Sequence, residues 1–268
     1  MAAGSILNNV SALTASRQMG ITQSGLEKTI QRLTTGKRIN QASDDAAGLA
    51  ISNRLGADVR ISAQAKRNAQ DGIAYMAVAD GALDEVTSLL TRAAELAEQA
   101  ATGTINEDNR DALDLEFQKI IGAINNVGSN AKFNGQKIFD SESISVSVAN
   151  FEAITFAVGD MVTFATGATI GGSDGTSATS MKATLDGLLQ SVSIQRASLG
   201  AQMQSLNTIS NTLGIQVENY TNAFSQIRDA NVADEVINLT KFQILGQSGT
   251  SALSQANQAS QMLLGLLR

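Results

Sequence analysis

Asp44 and Asp45 form the arrangement in this chain closest to a reactive centre, since adjacent carboxylates can work as acid and base or hold a cation. Either use needs partners. The 268 residues include no His and no Cys. The commonest general base, the commonest metal ligand and all thiol and disulfide chemistry are therefore missing, and no HExxH motif can exist. Capping accounts for the acidic pair better: Ser43 or Asp44 can cap a helix that follows, and Asp45 suits the positive end of its dipole. Three Asn-x-Ser/Thr triplets, at Asn9, Asn219 and Asn238, fall in helical patterns, where chance explains them better than glycan attachment. Arg17, Lys28, Arg32, Lys37 and Arg38 stand against a single Glu27, as a solvated face or as one that meets acidic neighbours.

The balance of the chain excludes further classes. A net charge of −6 fits nucleic-acid binding poorly. No run of about 18 apolar residues spans a membrane, and the N-terminus lacks a basic stretch followed by an apolar one; taken alone, that favours the cytoplasm. Hydrophobic residues make up 43% but aromatic ones only 4%, which suits helix seams of Ala, Leu, Ile and Val better than a large globular core. Proline is absent, so nothing forces a break in a long helix.

The elements follow from periodicity. Ile6, Val10 and Leu13, then Leu26, Ile30 and Leu33, mark two amphipathic helical pieces with a polar, Gly-containing middle. Gly36–Asp45 is a connector. From Ala46 to Ala101 a rhythm of three and four continues through Ala69, Ile73, Met76, Leu83, Val86, Leu90, Ala93, Ala97 and Ala100. As one helix this would be about 80 Å long, which points to a rod. Thr102–Asn106 ends it, and Asn106 caps a second helix with a seam of Leu113, Phe117, Ile120, Ile124 and Val127. Asn134-Gly135 signals a tight turn. Ser143–Val148 and Phe151–Val158 alternate as strands, with Met161–Phe164 as a third; Ala165–Ser180 is an exposed Gly-rich loop or tip. Leu185 to Ile227 sustains coiled-coil heptads, and a last helix runs from Val236 to Leu266. The expected fold is mainly α: a long antiparallel helical hairpin or coiled-coil rod, with paired N- and C-terminal helices and a small β tip from mid-sequence.

The end of the chain poses its own question. Met262, Leu263, Leu264, Leu266 and Leu267 crowd a terminus that would ordinarily fray. One partner helix leaves another face of that stripe bare. Identical subunits at its side would cover it.

Three stretches resemble one family. RLTTGKRINQASDDAAGLAISNRL (Arg32–Leu55) resembles the N-terminal signature of bacterial flagellins, NAKFNGQKIF (Asn130–Phe139) the turn after their second long helix, and QILGQSGTSALSQANQASQMLLGLLR (Gln243–Arg268) their C-terminal signature. The similarity covers roughly residues 1–140 and 180–268, and the middle is short. Ser260 departs from the Pro of many relatives.

The resemblance implies a structural subunit that self-assembles into the flagellar filament used for swimming, with no cofactor. Residues 1–44 and 229–268 would be the two halves of an inner core domain. Residues 45–140 and 181–228 would supply the helices of an outer core domain, and 141–180 the tip. Polymerisation would rest on Ile6, Val10, Leu13, Leu253, Leu263, Leu266 and Leu267. Export would follow the flagellar type III route without a cleaved signal, placing the chain outside the cell. An export chaperone and the cap and junction proteins would be partners besides the chain itself. Thr91–Gln99 resembles the segment that relatives present to the host Toll-like flagellin receptor: Arg92, Leu96 and Glu116 match contact positions, and Ala94 departs from a frequent Arg. O-linked glycans would fall on Thr166, Thr169, Ser173, Thr176 and Ser177.

Two rivals differ in class. A hook–filament junction adapter would share the paired helical ends, but both termini match filament subunits. Some relatives carry a central peptidase; here the insert is short and His is absent.

Overall fold

The computed structural model describes residues 9–140, 143–149, 151, 153–156, 158, 168–173 and 175–265. The chain is mainly α. Its order is α1 (Val10–Thr35), α2 (Ala46–Ala101), α3 (Glu107–Asn130), β1 (Lys132–Phe133), β2 (Gln136–Lys137), β3 (Ile144–Val146), β4 (Ile154–Phe156), α4 (Thr176–Arg228) and α5 (Val232–Gly265). Two compact units divide it: residues 60–217, and residues 1–59 with 218–268.

In the unit of residues 60–217 the core is a heptad seam. The seam on α2 steps by three and four, from Ser62, Ala65 and Ala69 through Gly72, Met76, Ala79, Leu83, Val86 and Leu90 to Ala93, Ala97 and Ala100, with Tyr75 and Leu96 buried at its flanks. On α4 every seventh residue is buried: Ala178, Leu185, Val192, Leu199, Leu206 and Leu213. A repeat of 3.5 keeps each stripe facing its partner. The two stretches run antiparallel. Arg196 bridges Asp80 and Asp84 at 2.8 and 2.7 Å, Lys182 pairs with Glu98, and Leu206 packs at Gly72. Gly72 is required there, since a Cβ would come within 2.9 Å of Val146 and 3.1 Å of Leu206.

α3 adds Phe117, Ile120, Ile121 and Ile124 to the same core. Asn106 caps it, as expected: its side chain accepts from the Asn109 N–H at 3.1 Å. The Asn134-Gly135 turn joins β1 to β2, with both residues at positive φ, 50° and 82°. Tyr75 locks this hairpin, donating to the Ile138 carbonyl at 3.2 Å and meeting the Phe133 ring edge-on. β3 and β4 pair antiparallel and are shorter than the expected Ser143–Val148 and Phe151–Val158. The expected strand Met161–Phe164 lies outside the described residues.

The described part of Ala165–Ser180 is not the free tip its composition suggests. Ile170 is fully buried. Asp114 accepts from the Ile170 N–H at 2.7 Å and from the Thr169 hydroxyl at 2.9 Å. Arg110, only 4% exposed, donates to the carbonyls of Ala100, Thr102, Gly172 and Ser173. Residues 176–180 already belong to α4.

In the unit of residues 1–59 and 218–268, α1 is one helix rather than two pieces, passing through Gly20 and Gly25. A glycine costs a helix only about 1 kcal/mol, too little to break one that packs on a partner. Asn9 caps it, accepting from the Ala12 N–H at 2.9 Å. α1 ends at Gly36, whose φ of 68° makes a left-handed cap. The connector is then pinned: Arg38 N–H donates to Arg228 O, Ala230 N–H to Gly36 O, and Ile39 is 1% exposed. Asp45, not Ser43 or Asp44, caps α2, accepting from the Gly48 N–H at 2.8 Å. Asp44 instead accepts from the Asn40 and Gln41 N–H groups, and those bonds hold its carboxyl below the usual range, the Gln41 bond most strongly.

Candidate assembly surface

α1 and α5 pack against each other with almost no sealed apolar core. Among the described residues, the buried side chains of these two helices are Thr22, Thr29 and Glu235. What joins them is local. Gly25 receives the ring of Phe242, and Arg32 pairs with Glu235 at 3.2 Å. Asn9 adds a bond from its side chain to the Ala256 carbonyl at 3.1 Å. The pairs 9–256, 25–242 and 32–235 run in opposite senses, so the helices are antiparallel.

Large apolar side chains remain uncovered along this pair. Val10 is 64% and Leu13 72% exposed; Ile21, Ile30, Val232, Val236, Ile237, Ile244, Leu245 and Met262 are exposed as well. Scattered exposed apolar residues are ordinary, but rows of them along both members of one helix pair mark an interaction surface. Of the residues expected to drive association, Val10 and Leu13 lie on this surface and Leu253 is half-buried. Leu263 sits on α5, while Ile6, Leu266 and Leu267 lie outside the described residues.

The other expected sites are less uniform. Arg92 pairs with Glu116 at 2.8 Å and with Glu95 at 3.0 Å, all three exposed. Leu96 is 1% exposed and belongs to the heptad core, so its side chain has no outer surface to offer. Thr169, Ser173, Thr176 and Ser177 are exposed, the Thr169 hydroxyl being engaged by Asp114; Thr166 lies outside the described residues.

Sequence reasoning missed Gly25, Phe242, the Arg32–Glu235 pair and Arg110. Gly25 carried a signal, as a glycine inside a helical pattern that packing would explain. The others are ordinary residue types whose roles depend on partners far along the chain.

Known proteins share this organisation. Residues 6–144 match the bacterial flagellin N-terminal helical region, and residues 183–267 the bacterial flagellin C-terminal helical region. A flagellin of Halalkalibacterium halodurans is 37% identical over 98% of this chain and 99% of its own length. Flagellin FlaB2 of Treponema pallidum is 34% identical over the same shares. The crystal structure of Bacillus cereus flagellin matches 55% of this chain and 88% of its own, with a TM-score of 0.50 and 28% identity. Two family regions that together span most of the sequence, and relatives matched from end to end, make this chain a member of the bacterial flagellin family.

Proposed function

We propose that this chain is the structural subunit of a bacterial flagellar filament, polymerising through α1 and α5. The matched family regions are those of structural filament proteins. The observation that carries the reading is the helix pair whose buried side chains are Thr22, Thr29 and Glu235 while many of its large apolar side chains are exposed. Burying a large apolar side chain contributes roughly 1.5–3 kcal/mol, and here that gain is open only to an assembly. Seeded polymerisation followed by sedimentation and electron microscopy tests it. The full chain forms filaments, whereas deletion of residues 262–268 abolishes growth and leaves the far-UV helical signal of residues 60–217 in place. Normal filaments from the deleted protein would sink the role given to the tail.

The finer parts of the reading rest on the family resemblance. Residues 1–44 and 229–268 form the inner core domain, residues 45–140 and 181–228 the outer core domain, and residues 141–180 the tip. The chain leaves the cell by flagellar type III export without a cleaved signal, escorted by an export chaperone, and meets cap and junction proteins at the filament ends. Arg92 and Glu116 offer an exposed ionic patch to a Toll-like flagellin receptor; their charge-reversed variants lose receptor activation if they contact it. Glycans, where added, sit on the exposed hydroxyls of Ser173, Thr176 and Ser177, and peptide mapping of native filaments checks this.

A further inference from the structure

Asn134-Gly135 is the one Asn-Gly pair in the sequence. It fills both central positions of the β1–β2 turn. Asn134 is exposed, and its carboxamide has no hydrogen-bond partner among the described residues. Asparagine amides are labile, and a following glycine leaves the next backbone nitrogen least shielded because it has no side chain. Positive φ at both residues makes the turn the mirror image of type I, with Asn134 ψ at about +30°. The Gly135 nitrogen then stands nearly anti to Asn134 Cβ and points away from Cγ. The two meet only when the Asn134 Cα–C bond rotates, and that rotation breaks the turn.

The hairpin pairs only Lys132 with Lys137 and Phe133 with Gln136, and two strands alone are marginal in water. Tyr75 holds it, through the bond from its hydroxyl to the Ile138 carbonyl at 3.2 Å and the edge contact of its ring with Phe133 at 5.6 Å. Burial pushes the Tyr75 phenol up, so it keeps its proton in mildly alkaline conditions.

We infer that Asn134 is a self-modifying site, gated by the Tyr75 lock on its hairpin. In the opened hairpin the Gly135 nitrogen gives its proton to hydroxide and attacks Asn134 Cγ. The bond from Cγ to the side-chain nitrogen breaks, ammonia leaves, and a succinimide ring remains. Water then opens the ring. Attack at the former side-chain carbonyl yields aspartate; attack at the main-chain carbonyl yields isoaspartate, whose backbone is one carbon longer. The net change is water in, ammonia out and one new carboxylate, with no oxidant, cofactor or second copy involved. The longer backbone no longer fits a two-residue turn, so conversion is a lasting mark of the time a hairpin has spent open.

The tryptic peptide 133–137 contains no other Asn or Asp, which isolates the readout. Full-length wild-type, Tyr75→Phe and Asn134→Gln chains are aged in mildly alkaline buffer, folded or in urea, and an isoaspartyl methyltransferase labels the product before mapping. In urea, wild-type Asn134 converts faster than the other asparagines. Folded wild type converts far more slowly, and folded Tyr75→Phe, with an unchanged far-UV spectrum, about two- to tenfold faster than folded wild type, as loss of one hydrogen bond predicts. Asn134→Gln, whose longer side chain disfavours the ring, leaves peptide 133–137 unlabelled. An unfolded chain in which Asn134 reacts no faster than other asparagines overturns the site. Equal rates in folded and unfolded wild type overturn protection by the turn, and equal rates in folded Tyr75→Phe and folded wild type overturn the lock.

Discussion

Gly25 of α1 lies against the ring of Phe242 of α5 so closely that a Cβ at Gly25 would come within 2.6 Å of Phe242 Cζ. The pairing of the two terminal helices is therefore set by the smallest residue on one and an aromatic ring on the other. In a pair that buries so little else, this contact fixes both spacing and register.

Replacement of Gly25 by Val forces Phe242 outward. Overpacking costs about 1–3 kcal/mol where neighbours are well packed. Filament growth falls while the melting of residues 60–217 stays unchanged, as sedimentation and circular dichroism read. Combining Gly25→Val with Phe242→Ala restores part of the growth by returning the space. Growth of Gly25→Val at the wild-type rate would show that the contact does not set the pairing.

Arg110 holds the loop before α4 to the end of α2 through four backbone carbonyls. Arg110→Ala leaves the buried Ala100 carbonyl and the part-buried carbonyls of Thr102, Gly172 and Ser173 without their donor, at roughly 1–3 kcal/mol for a lost buried partner. The expected result is a lower melting temperature and new protease cleavage between residues 168 and 175. Arg92→Ala is the contrast: its ion pairs are exposed, and pairs of that kind contribute little. It leaves the melting temperature unshifted.

Leu206→Ala removes a fully buried heptad side chain that meets α2 at Gly72. Large-to-small changes at such sites cost about 2–5 kcal/mol. Ile194→Ala, at a 62% exposed position on the same helix, leaves stability near wild type. Equal loss in the two variants, measured by denaturant titration, would contradict the assignment of the seam.

Asp44 gives a pH signature. Its carboxyl is held below the ordinary Asp value of 3.8, chiefly by the Gln41 N–H and next by the Asn40 N–H. A depressed carboxyl contributes stability that is fully present above the unfolded value and lost as the pH falls through the folded one. The extra stability of the wild-type connector over Asp44→Asn is therefore present at pH 6, begins to fade below 3.8 and disappears at lower pH. A difference that grows on acidification would reverse the sign and refute the cause.

Much of the architecture was legible before any coordinates. The helical rhythm of α2 and α4, the Asn106 cap and the Asn134-Gly135 turn all depend on residues within a few positions of one another, and a repeat of 3.5 survives without its partner. The glycines of α1 misled for the same local reason, since they read as a gap until Phe242 supplies what Gly25 accommodates. Asp45 took the cap from Ser43 and Asp44 because the bonds from Asn40 and Gln41 had already claimed Asp44.

Composition and period alone determined that this chain is helical, without His or Cys chemistry, and carries an apolar stripe over residues 262–267. Tertiary structure decided what each exposed or polar residue does. The family resemblance implies Leu96 as a receptor contact, yet it is 1% exposed, because it flanks the α2 seam and turns inward with it. The Gly-rich residues 168–173 read as free and are docked, because Arg110 and Asp114, more than fifty positions earlier, carry the donors and acceptors that meet them. Arg32 and Glu235 are 203 positions apart, and no local pattern marks them as a pair. Periodicity reports which face of a helix is apolar; only the folded chain reports which faces find cover within it and which remain for a neighbour.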